Sequence, residues 1–152
     1  MRILMVCLGN ICRSPLAEGI MRDKLRKYDI EGVVGSAGTA SYHIGEPPDP
    51  RSIDIARKHG LDISTQVARA FSVNDFEQFD LILAMDQENY DYILRKARSD
   101  HDGQKVHLIH DSLYPGEGVE VPDPYYGGQD GFEIVYKMLD ESCEAIVRKL
   151  KL

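Results

Sequence analysis

At 152 residues, 43% of them hydrophobic and 28% charged, the chain is long enough to bury one core without disulfide or metal support, and its composition excludes a disordered or repeat protein. A formal charge of -7 disfavours broad contact with nucleic acid or anionic membrane; no apolar run approaches the roughly 18 residues that span a bilayer, and MRILMVC is too short for a secretion signal. Three cysteines, an odd number, do not make a disulfide framework and predict thiols in the reducing cytoplasm.

Ile3 to Cys7 is a continuous apolar run of strand length, as in a parallel strand covered on both faces. Asn10, Arg13 and Ser14 interrupt it. Ser14-Pro15 then reads as N-cap and first helical residue, with Leu16, Ile20, Met21 and Leu25 at helical spacing. Val33 to Ala37 is a second strand candidate, and Asp49-Pro50 opens a helix ended by Gly60. Ser72-x-x-Asp75 resembles a capping box before a short helix, Phe79 to Met85 is the next strand, and Asp86 caps a helix reaching about Arg98. The turn Asp100-His101-Asp102-Gly103 leads to a fourth strand, Val106 to Ile109. After a loop rich in Gly and Pro, Asp130-x-x-Glu133 caps a last helix whose Phe132, Val135, Leu139, Cys143, Ile146 and Leu150 share one stripe. Strands alternating with helices predict one doubly wound α/β domain over residues 1–152, with its ligand site beyond the carboxyl ends of parallel strands.

The segment Cys7-Leu8-Gly9-Asn10-Ile11-Cys12-Arg13-Ser14 leaves the first strand at that edge. A loop of this length, with Gly9 allowing unusual backbone angles, can turn successive N–H groups inward as an anion-binding nest. The helix N-terminus adds partial positive charge, and Arg13 offers a planar fork matched to two phosphate oxygens. The same field favours the thiolate form of a cysteine at its focus, so Cys7 is the candidate nucleophile, with Ser14 able to donate a hydrogen bond to it. A lone cysteine ending a strand is ordinarily inert; the arginine, serine, glycine and helix start within eight residues change that reading. The segment lacks the Gly-Lys-Ser/Thr of a Walker loop.

Displacing an alcohol from phosphate needs a proton donor, and Asp123 in Val121-Pro122-Asp123-Pro124-Tyr125-Tyr126 supplies the candidate. Other reactive residues have simpler readings. Cys143 lies on the apolar stripe of the last helix as a core residue, Asp86 is a helix cap, and His107-x-x-His110 lacks further ligands at metal-site spacing. Cys12 sits five residues from Cys7 in one short loop, close enough for a disulfide that would put the site under redox control.

CLGNICRS near the amino end and DPYY near the carboxyl end resemble the low-molecular-weight protein tyrosine phosphatases, and Ser36-Ala37-Gly38, Asp49-Pro50-Arg51 and Met85-Asp86 match the family's pattern in order and spacing. The resemblance, which covers essentially the whole chain, implies a flavodoxin-like, four-stranded parallel sheet flanked by helices. It also implies a cysteinyl-phosphate intermediate, no metal or other cofactor, phosphotyrosine proteins as substrates, and phosphate as product and inhibitor. By motif position Cys7 is the nucleophile, Arg13 binds phosphate with Leu8, Gly9, Asn10, Ile11, Cys12 and Ser14, and Asp123 protonates the leaving group and then activates water. Asn10 holds the loop through Ser14 and Ser36, while Tyr42, Tyr125 and Tyr126 wall the cleft. Gln66 stands where some relatives carry a loop-supporting histidine. Arsenate reduction within this fold needs resolving cysteines that are missing between Cys12 and Cys143, and protein arginine phosphatases tend to carry threonine where this loop has Ile11.

Overall fold

β1 (Arg2–Cys7) is the axis of the fold. Every residue of it from Ile3 onward is buried, with Ile3, Met5 and Cys7 in one apolar layer and Leu4 and Val6 in the other. That alternation with both faces covered accounts for an unbroken apolar run in the sequence. β1 pairs in parallel with β2 (Val33–Gly38) on one side and β3 (Leu81–Ala84) on the other, and β4 (Val106–Leu108) extends the sheet beyond β3, in the order β2-β1-β3-β4. The computed structural model describes residues 1–125 and 129–152; Tyr126, expected at the cleft, lies outside the described residues.

On one face α1 (Arg13–Lys27), α2 (Pro50–Lys58) and α6 (Gln129–Lys151) cover Ile3, Met5 and Leu83 with Leu16, Ile20, Met21, Val135 and Leu139. On the other, α3 (Asp75–Gln78), α4 (Gln87–Lys96) and α5 (Asp100–Gln104) enclose Leu4, Val6, Ile82 and Ala84 with Phe71, Phe76 and Ile93. Cys143 is fully buried in the first layer, as its stripe position predicted. Removing one such aliphatic side chain by Leu139→Ala would cost about 2–5 kcal/mol, because transfer and cavity terms add.

Several boundaries differ from the sequence reading: α4 ends at Lys96, β4 at Leu108, and α6 already includes Asp130, while three further differences have a visible cause. α1 begins at Arg13 rather than after a Ser14 cap, with Cys12 at the N-cap position and no side-chain cap bond. The Ser14 hydroxyl is drawn instead towards Cys7. Phe79 ends α3 instead of starting β3, its ring lying under Gly35 where an added Cβ would sit 3.1 Å from Phe79 Cζ. Residues Asp100 to Gly103 form the short helix α5 rather than a turn, because Ser99 Oγ caps it by accepting from Asp102 N–H at 3.2 Å.

Candidate active site

The chain order reverses direction between β1 and β3, and the crevice beyond their carboxyl ends is the expected binding place in a doubly wound sheet. β1 delivers Cys7 there, α1 delivers Arg13 and Ser14, and the segment following β3 delivers Asp86. β2 supplies Ser36 and, at its end, Gly38, level with Cys7 across the strand pair. An added Cβ on Gly38 would lie 2.8 Å from the Leu8 carbonyl oxygen and 3.1 Å from Gly9 C, so only glycine lets the loop rest on this strand.

Inside the loop the left-handed residue is Asn10, at φ 58°, not Gly9. Asparagine enters this region more readily than most residues, and here its side chain makes three hydrogen bonds that hold it there. Its Nδ2 donates to Ser14 Oγ at 2.8 Å and to Ser36 Oγ at 2.9 Å, and its Oδ1 accepts from the Arg69 backbone N–H at 3.0 Å. Gly9 contributes close space instead: a Cβ there would approach His43 Cδ2 to 3.1 Å, so the His43 ring would have to shift slightly. Among the described residues, none of the backbone N–H groups of Gly9, Asn10, Ile11 and Cys12 finds a protein acceptor, although the last three residues are buried. Unpaired buried N–H groups in succession are an anion-binding feature.

Cys7 Sγ lies 3.0 Å from Ser14 Oγ. Arg13 is 2% exposed, and its Nη1 donates to Asp86 Oδ2 at 2.6 Å and to the Val121 carbonyl at 3.0 Å, while Nη2 is 3.6 Å from Asp123 Oδ2. Burial opposes the charge on Arg13, but Cys7, Asp86 and Asp123 outweigh it and hold the guanidinium above its ordinary pKa. Burial, then the charges of Asp49, Cys7 and Asp123, push the Cys12 thiol up to about 12. Cys7, Cys12 and Cys143 are all free thiols.

These groups enclose a cavity of about 80 Å³ with Cys7, Cys12 and Arg13 buried in it and Leu8, Tyr42 and Tyr125 on its exposed rim. Gly9, Ile11, His43 and Asp123 complete the lining. Asp123 is partly open to solvent and accepts from the Tyr125 N–H at 3.0 Å. A larger groove of about 510 Å³ between α1 and α6 contains none of the loop residues. Gln66 reaches the loop's helix by donating to the Pro15 carbonyl at 3.1 Å, and its Oε1 is buried without a partner among the described residues.

Sequence reasoning missed three participants. Asp86 does cap α4, accepting from Asn89 N–H at 2.9 Å, but it also clamps Arg13; its position after a strand at the carboxyl edge was the available signal. His43 contacts the loop at Gly9 and tilts towards Tyr125 with ring centroids 6.1 Å apart, which nothing in a lone histidine announced. Arg51, which the sequence marks only as part of the Asp49-Pro50-Arg51 pattern, bonds the Asp49 carboxylate and the Tyr125 carbonyl. Of the histidine pair, His110 is buried against Ser142, and among the described residues no group of three or more His, Cys, Asp or Glu could hold a metal.

A thiol, a buried arginine and a helix start gathered at the switch point of a parallel sheet define a cysteine-based phosphatase architecture. The chain belongs to the low molecular weight phosphotyrosine protein phosphatase family, whose model matches residues 2–152. A Synechocystis protein bearing the family's name is 45% identical, the match covering 99% of this chain and 96% of the relative. Among solved structures, a protein tyrosine phosphatase from Entamoeba histolytica with Hepes in its active site superposes with TM-score 0.92 at 38% identity, covering 99% of this chain and 96% of that one. A Drosophila arginine phosphatase superposes as well, with TM-score 0.93 at 33% identity, covering 100% and 99%. The fold and the enzyme class are therefore those expected, a cysteine-based protein-tyrosine phosphatase on an all-parallel four-stranded sheet.

Proposed function

We propose that this protein hydrolyses phosphotyrosine in proteins through a cysteinyl-phosphate intermediate, with Cys7 as nucleophile, Arg13 as phosphate clamp and Asp123 as general acid and base. The observation that carries the reading is the loop from Cys7 to Ser14, where unpaired N–H groups and a buried guanidinium converge on the thiol. A phosphate monoester seated there meets the Cys7 thiolate in line, while the loop N–H groups and Arg13 stabilise the equatorial oxygens. The sulfur–phosphorus bond forms as the ester oxygen departs and takes its proton from Asp123 in its acid form. The Asp123 carboxylate then takes a proton from water, whose oxygen displaces Cys7 and releases inorganic phosphate. Leu8, Ile11, Tyr42 and Tyr125 line the path of an aromatic ester.

Phosphate as product and inhibitor follows from the same nest. The cytosol is the compartment in which three free thiols keep their state, and no helix among the described residues is long and apolar enough to cross a membrane. The Drosophila neighbour makes phosphoarginine the competing substrate, and bulky Ile11 in the cleft favours the aryl ester. A panel of phosphotyrosine, phosphoserine and phosphoarginine peptides with wild type and Cys7→Ser tests the reading. Phosphotyrosine should be hydrolysed far faster than the others, and Cys7→Ser should lose turnover yet still bind inorganic phosphate in calorimetry. Appreciable turnover by purified Cys7→Ser would remove the nucleophile assignment, and a preference for phosphoarginine would replace the substrate.

A further inference from the structure

The proton donor and the phosphate loop lie far apart in the chain, and besides Arg13 a second arginine joins their segments. Arg51, in the first turn of α2, donates through Nε to Asp49 Oδ1 and through Nη2 to Asp49 Oδ2, each at 3.0 Å. The same Nη2 donates to the Tyr125 carbonyl at 2.9 Å. The guanidinium lies 4.7 Å from the Phe132 ring centroid and 5.6 Å from that of Tyr125, so aromatic faces hold its plane. Beyond the clamp, the Asp49 backbone N–H donates to the Ile11 carbonyl at 2.8 Å, inside the phosphate loop. On the other side the Tyr125 N–H donates to Asp123 Oδ1 at 3.0 Å.

We propose that Arg51 is a positioning residue for the general acid: it ties the phosphate loop, through Asp49, to the Tyr125 carbonyl and thereby fixes where Asp123 stands against the leaving-group oxygen. The inference rests on Asp123 being the proton donor. Geometry rather than field is what Arg51 contributes, because the Asp49 carboxylate faces it directly and cancels its charge at the distance of the phosphate. Lysine cannot replace it in full, since a single ammonium lacks the fork that bonds both Asp49 oxygens and a carbonyl at once. The role is distinct from that of Arg13, which faces the phosphate site itself.

The test is kcat/KM for phenyl phosphate and p-nitrophenyl phosphate in wild type, Arg51→Met, Arg51→Lys, Asp123→Asn and the Arg51→Met/Asp123→Asn double variant, with inhibition by inorganic phosphate as the binding readout. Methionine keeps an unbranched stem against Phe132. Displacing an acid by about 1 Å costs up to about 100-fold, so Arg51→Met should lose on the order of 10- to 100-fold with phenyl phosphate and much less with the nitrophenyl ester, whose leaving group needs no proton. Phosphate inhibition should be unchanged, Arg51→Lys should recover part of the loss, and the double variant should be no slower than Asp123→Asn alone. Equal losses for both esters, weakened phosphate inhibition, or additive losses in the double variant would overturn the proposal. If Asp123→Asn itself shows no leaving-group dependence, the assignment of Asp123 fails instead. Should Arg51→Met not fold, the Arg51→Lys series carries the same comparison.

Discussion

Ser14 Oγ accepts the Asn10 amide, which leaves its own hydrogen free to point at Cys7 Sγ, so one hydroxyl braces the loop and faces the sulfur. Cys12, in the same loop, is held protonated by burial and by neighbouring negative charge, Cys7 among it. Oxidation of Cys7 by peroxide to the neutral sulfenic acid removes one of those charges and eases ionisation of Cys12, whose thiolate can then displace hydroxide to close a disulfide. Inactivation by mild peroxide should therefore reverse with dithiothreitol, and in Cys12→Ser the recovery should fall several-fold. Mass spectrometry for the Cys7–Cys12 peptide checks this; its absence together with equal recovery would leave Cys12 a packing role. At this scale the sequence showed which residues mattered better than how they work. Cys7, Arg13 and Ser14 could be read from spacing to a strand end and a helix start, whereas the left-handed turn went to Gly9 because an asparagine's three bonding partners lie up to 59 residues away.

The end of β2 acts as a rest for the phosphate loop, and its tolerance is set by backbone atoms. The atoms around a Cβ on Gly38 are the carbonyls of Leu8 and Ala40 and the Gly9 carbon, none of which can swing aside as a side-chain tip would. Gly38→Ala should therefore destabilise by roughly 1–3 kcal/mol and lower kcat/KM by up to about 100-fold as the loop shifts. Denaturant midpoints and p-nitrophenyl phosphate kinetics measure both, and unchanged kinetics would show that the loop does not depend on this rest. β1 was legible because both its faces are covered and it is apolar from Ile3 to Cys7. Helix and strand ends were less so: Asp100 to Gly103 looked like a turn until Ser99 is seen to cap it, and Phe79 looks like a strand residue unless its place beneath Gly35 is known.

Across the whole molecule, acid sensitivity should have a component outside the lining of the catalytic cleft. His110 is buried, with its Nδ1 against Ser142 Oγ, and burial lowers its pKa against a weaker opposing pull from Glu141. The unfolded chain, with histidine near 6.5, takes up the proton first. Stability is then complete above about pH 6.5 and falls as pH drops below it. Urea midpoints at pH 7.5 and 5.5 should differ less in His110→Gln than in wild type, and an equal difference would place the acid sensitivity elsewhere. None of this could be read from the sequence, where His110 was half of a discounted metal pair.

The hydrogen bond from Arg13 to the Val121 carbonyl joins residues 108 positions apart. Translation runs from the amino end, so the reactive thiol is made long before the segment that completes its enclosure. Until Val121 and Asp123 have been synthesised and docked, Cys7 stands on a partial sheet without its acid partner or the carbonyl that helps anchor its arginine. The nascent thiol therefore waits for more than a hundred residues of further synthesis before the contact that helps close its site can form.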